Sequence, residues 1–160
     1  MKKFLLTVAS ALVLLVVPSA YSPTDTIIGK DAPNFEVVNG NRVVEIEKLK
    51  GRYILLSFWS SVDPKSRLAN KAYNVVAAEE TAAMEYVAIN LDPSAKVFEE
   101  IVKIDGLNAL NQFRPKADNT SLIEDGYGLR GGFVSFLINP KGEVVAQDPS
   151  IDEIKALVKA

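Results

Sequence analysis

Four polar residues that could do chemistry stand close together in the chain: Ser60, Ser61, Asp63 and Ser66. A carboxylate beside hydroxyl groups could act as a general base toward a serine nucleophile. The 160 residues include no histidine and no cysteine, however, and no lysine has a spacing that would activate a serine. Hydrolysis at this cluster is therefore disfavoured. We expect Asp63 to be a helix N-cap worth about 1 kcal/mol instead.

The missing residue types also exclude several classes of site and partner. Without histidine or cysteine the chain lacks the usual ligands of zinc, copper, haem and iron–sulfur clusters. No Asp-x-Asp-x-Asp-Gly calcium loop occurs either, so we expect no metal and no cofactor. Removing the first 20 residues leaves 16 basic against 20 acidic residues, a net charge of −4. This mild acidity, without basic clusters, argues against nucleic acid or anionic membrane as a partner.

The first 22 residues have the pattern of a secretory signal peptide. Two lysines precede an apolar run at residues 4–17, and small residues follow it. The run has about 14 residues, fewer than the roughly 20 that span a bilayer, so cleavage is favoured over a signal anchor. We place cleavage between Ser19 and Ser22. Residues 23–160 are then expected to form one domain in the periplasm, with no membrane insertion after cleavage.

The hydrophobic pattern predicts an α/β domain with the element order ββ-βαβα-(β)α-ββα. Strands are expected at residues 35–38, 42–46, 54–59, 86–91, 107–113, 133–139 and 143–147, with helices at 64–80, 94–104, a short one ending near 126, and one from 151. Alternating strands and helices imply a parallel sheet core with right-handed crossovers. The first two strands form a hairpin and the last two close the sheet. We expect a central mixed sheet flanked by helices, with an N-terminal β-hairpin extension.

The helix expected at 64–80 follows the polar cluster directly. Asp63 is a residue type that commonly caps helices, and Pro64 after it is well suited to the first helical position. The apolar residues of this helix recur at a spacing of three to four. We expect them to pack on the sheet: Leu68, Ala72, Val75, Val76 and Ala83.

Four segments, in order, resemble the thioredoxin-like superfamily, and specifically its TlpA-like and peroxiredoxin-related exported branch. Residues 29–35 (Gly-Lys-Asp-Ala-Pro-Asn-Phe) resemble the motif Gly-x-x-Ala-Pro-x-Phe at the start of that domain. Leu-Lys-Gly-Arg at 49–52 and the strand ending in Phe58-Trp59 resemble its approach to the active site. Residues 127–131 (Tyr-Gly-Leu-Arg-Gly), 136–139 and Gly142 resemble the segment around its cis-proline. The resemblance spans nearly the whole mature chain and implies the thioredoxin-like fold.

The resemblance breaks at the active site. Where the family has Cys-x-x-Cys this chain has Asp63-Pro64-Lys65-Ser66, and where the family has Gly-x-Pro it has Gly131-Gly132-Phe133. The helix N-terminus that stabilises the family's thiolate would stabilise the carboxylate of Asp63 as well. Neither Asp63 nor Ser66 can exchange disulfides, however. A cis bond before a non-proline residue costs about 2.5–4 kcal/mol, so we expect Gly132–Phe133 to be trans.

The resemblance also implies a peptide groove that could survive the loss of the cysteines. In the redox relatives an aromatic residue at the position of Trp59 helps to form the contact surface, and ordinary packing is the equal alternative here. Phe133, at the cis-proline position, is expected either to lie beside Trp59 in an apolar patch or to turn inward and plug the groove. Asp63 and Gly132 complete this candidate groove.

Three functions follow from these patterns. The leading hypothesis is a redox-inactive thioredoxin-like protein of the cell envelope that binds a protein or an extended peptide as a scaffold, without being an enzyme. A thiol-disulfide oxidoreductase or antioxidant would be the family label, and it is disfavoured because the reacting thiolate is missing. The third is a structural protein with a closed groove, which the sequence does not separate from the first.

Overall fold

This computed structural model describes residues 27–116 and 118–159, which contain seven strands and four α-helices. The predicted leader at 1–22 lies outside those residues. The strands are β1 Glu36–Asn39, β2 Arg42–Glu45, β3 Tyr53–Trp59, β4 Met84–Asn90, β5 Gln112–Pro115, β6 Ser135–Ile138 and β7 Val144–Gln147. The helices are α1 Pro64–Glu79, α2 Ala95–Ile104, α3 Thr120–Gly126 and α4 Ile151–Val158. None of them is long and apolar enough to cross a membrane.

The strands form one mixed sheet in the order β2-β1-β5-β4-β3-β6-β7. The central strands β3, β4 and β5 are parallel, whereas the hairpins β1–β2 and β6–β7 join the sheet antiparallel to their neighbours. Strand β3 pairs with β4 and β6 and is buried from Ile54 to Trp59, as its apolar run predicts. The carboxyl end of β3 therefore leads directly from the middle of the sheet into the polar cluster.

Two hydrophobic clusters cover the opposite faces of the sheet, because successive side chains of a strand point to opposite sides. The helix-side cluster lies under α1, α2 and α4 and includes Leu55, Trp59, Tyr73, Val76, Val102 and Ile154. The hairpin-side cluster lies under α3 and the N-terminal segment and includes Phe35, Val37, Phe58, Ile123, Tyr127 and Phe136. In this second cluster the Tyr127 hydroxyl donates to the Pro33 carbonyl at 2.7 Å. That bond ties the N-terminal motif to the segment before β6.

The buried face of α1 differs from the predicted stripe. Leu68 is 70% exposed and Val75 is 59% exposed, and of the predicted stripe within the helix only Val76 is fully buried. The residues that face the sheet are spaced correctly for a helix but are largely polar or aromatic: Ser66, Asn70, Tyr73, Val76 and Ala77. The prediction was wrong because it used apolarity alone to choose the face.

Hydrogen bonds explain how polar residues can occupy that face. The side chains of Asn70 and Gln112 exchange hydrogen bonds of 3.2 and 3.3 Å, and the Tyr86 hydroxyl donates to the same Asn70 oxygen. The Tyr73 hydroxyl donates to the Pro149 carbonyl at 2.9 Å. Buried polar groups with partners avoid the desolvation penalty that unpaired ones would suffer.

The strand expected at 107–113 is also displaced. The structure has a 3₁₀ turn at Ala109–Asn111, and β5 begins only at Gln112. The Asn108 side chain caps this turn by accepting from the Leu110 amide at 3.1 Å, an alternative that asparagine offers to an extended backbone. Leu107 is buried, but it packs under the end of α2 and not in a strand.

Candidate functional site

Asp63 caps α1, as the sequence predicts. Its Oδ1 accepts from the Ser66 amide at 2.7 Å, and the Ser66 hydroxyl donates to the Asp63 carbonyl at 3.2 Å. The same hydroxyl oxygen accepts from the Ser60 amide at 3.3 Å. Hydrogen bonding by Ser66, from its side chain and its backbone, holds the pKa of Asp63 below the usual range. Asp63 and Ser66, which the resemblance places at the cysteine positions, therefore form a hydrogen-bonded turn that keeps a carboxylate ionised.

A second carboxylate, which the sequence analysis did not single out, holds the loop in front of α1. Asp92 follows β4, is only 6% exposed, and accepts from the Ser60 hydroxyl. It also accepts from the Ser61 amide at 3.0 Å and the Asn90 side chain at 2.8 Å. Burial acts to raise the pKa of Asp92, but the bonds from Ser60, Asn90 and Ser61 together hold it below its usual value. Asp92 thus fastens the β3–α1 loop to the neighbouring strand.

The position of Asp92 at a strand end was the signal that could have identified it. Parallel strands β3 and β4 end at the same edge of the sheet, so polar residues that follow them meet there. The sequence pattern predicts only the start of a helix at this point of the chain.

Arg67, directly after the former cysteine positions, is also structural. Its Nη2 donates to Asp105 Oδ1 at 2.8 Å and its Nε to the second oxygen, a bidentate pair with a carboxylate that is 5% exposed. Hydrogen bonding by Arg67 lowers the pKa of Asp105. Asp105 is the residue that ends α2, so this pair locks the first turn of α1 to the end of α2.

Trp59 is packed in the core, which is one of the two alternatives that the sequence leaves open for it. Its side chain is 0% exposed and lies in the helix-side cluster, with its ring centroid 6.1 Å from that of Phe98. Phe133 is half-buried against the hairpin-side cluster, on the other face of the sheet. The predicted apolar patch of Trp59 and Phe133 is therefore not formed, because the two rings are separated by the sheet.

The segment at the former cis-proline position is extended and trans. No peptide bond in residues 27–116 and 118–159 is cis, which confirms the expectation for Gly132–Phe133. Gly132 has a φ of 133°, a conformation that favours glycine. The amide of Phe58 donates to the Val134 carbonyl at 3.1 Å. Phe133 itself has neither its N–H nor its C=O hydrogen-bonded to any described residue.

The two buried serines of this site have no activating base. The hydroxyls of Ser60 and Ser66 are both donating to oxygen atoms of Asp92 and Asp63, so neither is oriented by a base toward a substrate. Among the described residues no three acidic side chains cluster in a way that could hold a metal. The site also has the unpaired backbone of Phe133 and, in the β3–α1 loop, Val62, whose side chain is 85% exposed.

Solved structures share this fold. A thioredoxin-like protein from Parabacteroides distasonis is 32% identical, with a TM-score of 0.64 over 69% of this chain and 82% of that one. A thiol-disulfide oxidoreductase from Bacteroides fragilis is 25% identical, with a TM-score of 0.67 over 81% and 98% of the two chains. The thioredoxin domain of a thiol-disulfide oxidoreductase from Bacteroides vulgatus is 20% identical, with a TM-score of 0.71 over 82% and 95%.

The family comparison agrees with the fold. No curated protein matches the sequence. The model of the AhpC/TSA family matches residues 28–147, which run from the N-terminal motif to the last strand and include the altered site. With no cysteine in its 160 residues, the chain has kept the fold and lost the thiols. It belongs to the AhpC/TSA family, as a thioredoxin-like protein without the cysteines of a redox site.

Proposed function

We propose that this protein is a redox-inactive thioredoxin-like module of the cell envelope that binds an extended peptide or protein segment. The observation that carries the proposal is the unpaired backbone of Phe133, next to the loop that leaves β3. An extended peptide could pair with this N–H and C=O as an added strand, a recognition mode in which main-chain hydrogen bonds provide affinity.

The geometry supports a peptide at this place. Val134 is bonded to Phe58 near the end of β3, so Phe133 lies one residue further along, beside the loop that begins at Ser60. Val62 in this loop is 85% exposed, and an apolar side chain of the peptide can cover it. Because Trp59 is fully buried, we assign to Val62 the role in the contact surface that was one of the two alternatives for Trp59.

The family's redox reaction does not extend to this chain. Reduction of a disulfide begins with attack of a thiolate on sulfur, and the sequence contains no cysteine. Asp63 carries a charge at the position of the attacking thiol but cannot form a mixed disulfide. Insulin reduction and peroxide consumption should therefore not exceed those of a heat-inactivated sample.

The peptide site can be tested with a displayed library of random linear peptides selected on residues 23–160. Selected peptides are then measured by fluorescence anisotropy against the native protein, Val62→Lys and Val75→Lys. Both valines are exposed, but Val75 lies on the far part of α1. We expect at least about tenfold weaker binding for Val62→Lys, because a charge replaces the apolar contact, and unchanged binding for Val75→Lys.

Amide hydrogen exchange provides the second measurement. A bound strand should slow exchange at Phe133 and leave most of the chain unchanged. The proposed peptide site is contradicted if both lysine variants lose affinity equally. It is also contradicted if the Phe133 amide stays unprotected in a saturated complex. Trp59→Ala would not test the site, because emptying a core position lowers the free energy of unfolding by about 3–5 kcal/mol. A loss of binding could then come from a loss of folding.

The envelope location is part of the same proposal and rests on the leader pattern at residues 1–22. Expression of the full chain in a Gram-negative host, followed by mass spectrometry of the periplasmic fraction, should yield a mature N-terminus at residues 20–23. A product of full length in the cytoplasm would contradict it.

A further inference from the structure

A cavity of about 430 Å³ lies between α2 and the strands β1 and β5, away from Val62 and Phe133. Its apolar walls include Val38, Phe98 and Val102, and Ala95 lies at its edge. Volumes of about 300–1,000 Å³ with mostly apolar walls and a few polar groups are typical of small-molecule sites. Val38 and Phe98 are only partly buried, so α2 leaves this part of the sheet incompletely covered.

Arg114 is the polar group that distinguishes this cavity. It lies on β5, is partly buried, and lines the cavity beside Val38, its partner in the β1–β5 pairing. Its Nη2 donates to the carbonyls of Asp92 and Pro93 at 2.9 and 3.2 Å. Its Nε is buried without a partner, and the guanidinium pairs with no carboxylate of the described residues.

A partly buried cation without an anion is costly, because desolvation is not offset by an ion pair. Most arginines of the described chain avoid this cost: Arg42, Arg52, Arg67 and Arg130 each pair with an acidic side chain. The other charged residues at the cavity, Glu99 and Lys103, are exposed and of opposite sign, so they leave the charge of Arg114 uncompensated.

We propose that this cavity binds a small apolar carboxylic acid, with the carboxylate against Arg114 and the apolar body between Phe98, Val102 and Val38. Arginine is suited to this role because its planar guanidinium donates to carboxylates from several N–H groups at fixed geometry. The ligand would supply the anion that the fold does not provide. Neither Val62 nor Phe133, the two residues of the proposed peptide groove, lines this cavity.

The single tryptophan of the chain is a built-in reporter for this site. Trp59 is in ring contact with Phe98, a wall of the cavity, at 6.1 Å between centroids. Titration of residues 23–160 with decanoate or phenylbutyrate should change the Trp59 emission saturably and raise the melting temperature. Phenylbutylamine, which has the same apolar body with the opposite charge, should have no saturable effect.

Three variants assign the effect to the cavity. Arg114→Gln should weaken binding of both acids at least about tenfold, the loss of one charge-assisted contact. Ala95→Phe should block the cavity from an exposed position on the first turn of α2, where it does not disturb the core. Lys96→Gln removes a charge from the same turn without lining the cavity and should bind as the native protein does.

The outcomes separate cleanly. Saturable binding of the acids, lost in Arg114→Gln and Ala95→Phe and kept in Lys96→Gln, supports the site. Equal binding of acid and amine, undiminished binding by a folded Arg114→Gln, or no saturable change with either acid overturns it. If Arg114→Gln fails to fold, which circular dichroism would reveal, the decision passes to Ala95→Phe.

Discussion

Asp63 shows how one residue type can preserve a helix terminus while removing a reaction. The first amides of a helix are unpaired and carry partial positive charge, so they stabilise any anion placed there. A carboxylate accepts from these amides as well as a thiolate does, and Asp63 does so through the Ser66 amide at 2.7 Å. The replacement therefore leaves the start of α1 intact without a sulfur atom.

Substitution of Asp63 separates capping from charge. Asp63→Ala should lower the free energy of unfolding by about 1 kcal/mol, because the Ser66 amide loses its acceptor. Asp63→Asn should cost only a few tenths of a kcal/mol, since asparagine caps helices about as well as aspartate. Urea denaturation at pH 7 measures both. Equal destabilisation by the two variants would mean that the charge of Asp63, and not its hydrogen bond to the Ser66 amide, stabilises the helix.

Asp92 should make stability depend on pH. The folded state holds the pKa of Asp92 below its ordinary value of 3.8, so its contribution is present at neutral pH and is lost as the pH falls through the folded pKa. Asp92→Asn should lower the free energy of unfolding at pH 7 by roughly 1.5–3 kcal/mol, the range for hydrogen bonds to a charged group.

The difference between native protein and Asp92→Asn should shrink as the pH is lowered from 5 toward the acid limit of folding. Glu124→Gln is the control: Glu124 is exposed on α3 and forms no ion pair with a described residue. Its effect should be small at every pH. If the stability difference for Asp92→Asn stays constant with pH, the shape of the Asp92 side chain, and not its charge, holds the loop.

The sequence of helix α1 does not show which of its two faces is buried. Adjacent valines provide a matched test, because Val76 is 1% exposed and Val75 is 59% exposed. Val76→Ala should cost roughly 1–3 kcal/mol through lost burial and a residual cavity. Val75→Ala should change stability by no more than about 0.5 kcal/mol, since it removes an exposed side chain and alanine favours helices. Thermal or urea unfolding decides, and equal costs would contradict the orientation of the helix.

A strand, turn or helix start can be predicted from the sequence where residues close together in the chain determine it. The buried run of β3, the hairpin of the first two strands and the capped start of α1 follow from apolarity, turn chemistry and capping, and all appear as predicted. The buried face of α1 does not follow, because Asn70 is tolerated there only through Gln112 and Tyr86, which come from other strands. Long-range partners of this kind leave no local pattern.

The candidate site divides in the same way. The N-cap at Asp63 and the trans bond at Phe133 could be predicted from residue types and the cost of a cis bond, whereas the assignment of Asp63 and Ser66 to the family's cysteine positions stays a prediction. The burial of Trp59 depends on Phe98 of α2, and the role of Asp92 depends on which strands are neighbours. Both required the assembled sheet.

At the scale of the whole molecule, Asp63 and Ser66 have the spacing of a Cys-x-x-Cys pair. Asp63 and Ser66 are three residues apart across the first turn of α1 and are joined by hydrogen bonds of 2.7 and 3.2 Å. The loop before them is held by Asp92 and the helix after them by Arg67. The surrounding framework is therefore fixed independently of any sulfur.

Asp63→Cys combined with Ser66→Cys should form an intramolecular disulfide on mild oxidation, because the turn places both side chains within bridging reach. The thiol at position 63 would lie at the helix N-terminus, where its pKa is lowered, so the double variant should reduce insulin faster than either single variant or the native protein. Mass spectrometry detects the bridge and turbidity follows the reduction. A double variant that folds but forms no bridge would show that the loop geometry has changed along with the residues, and that the loss of redox function extends beyond two side chains.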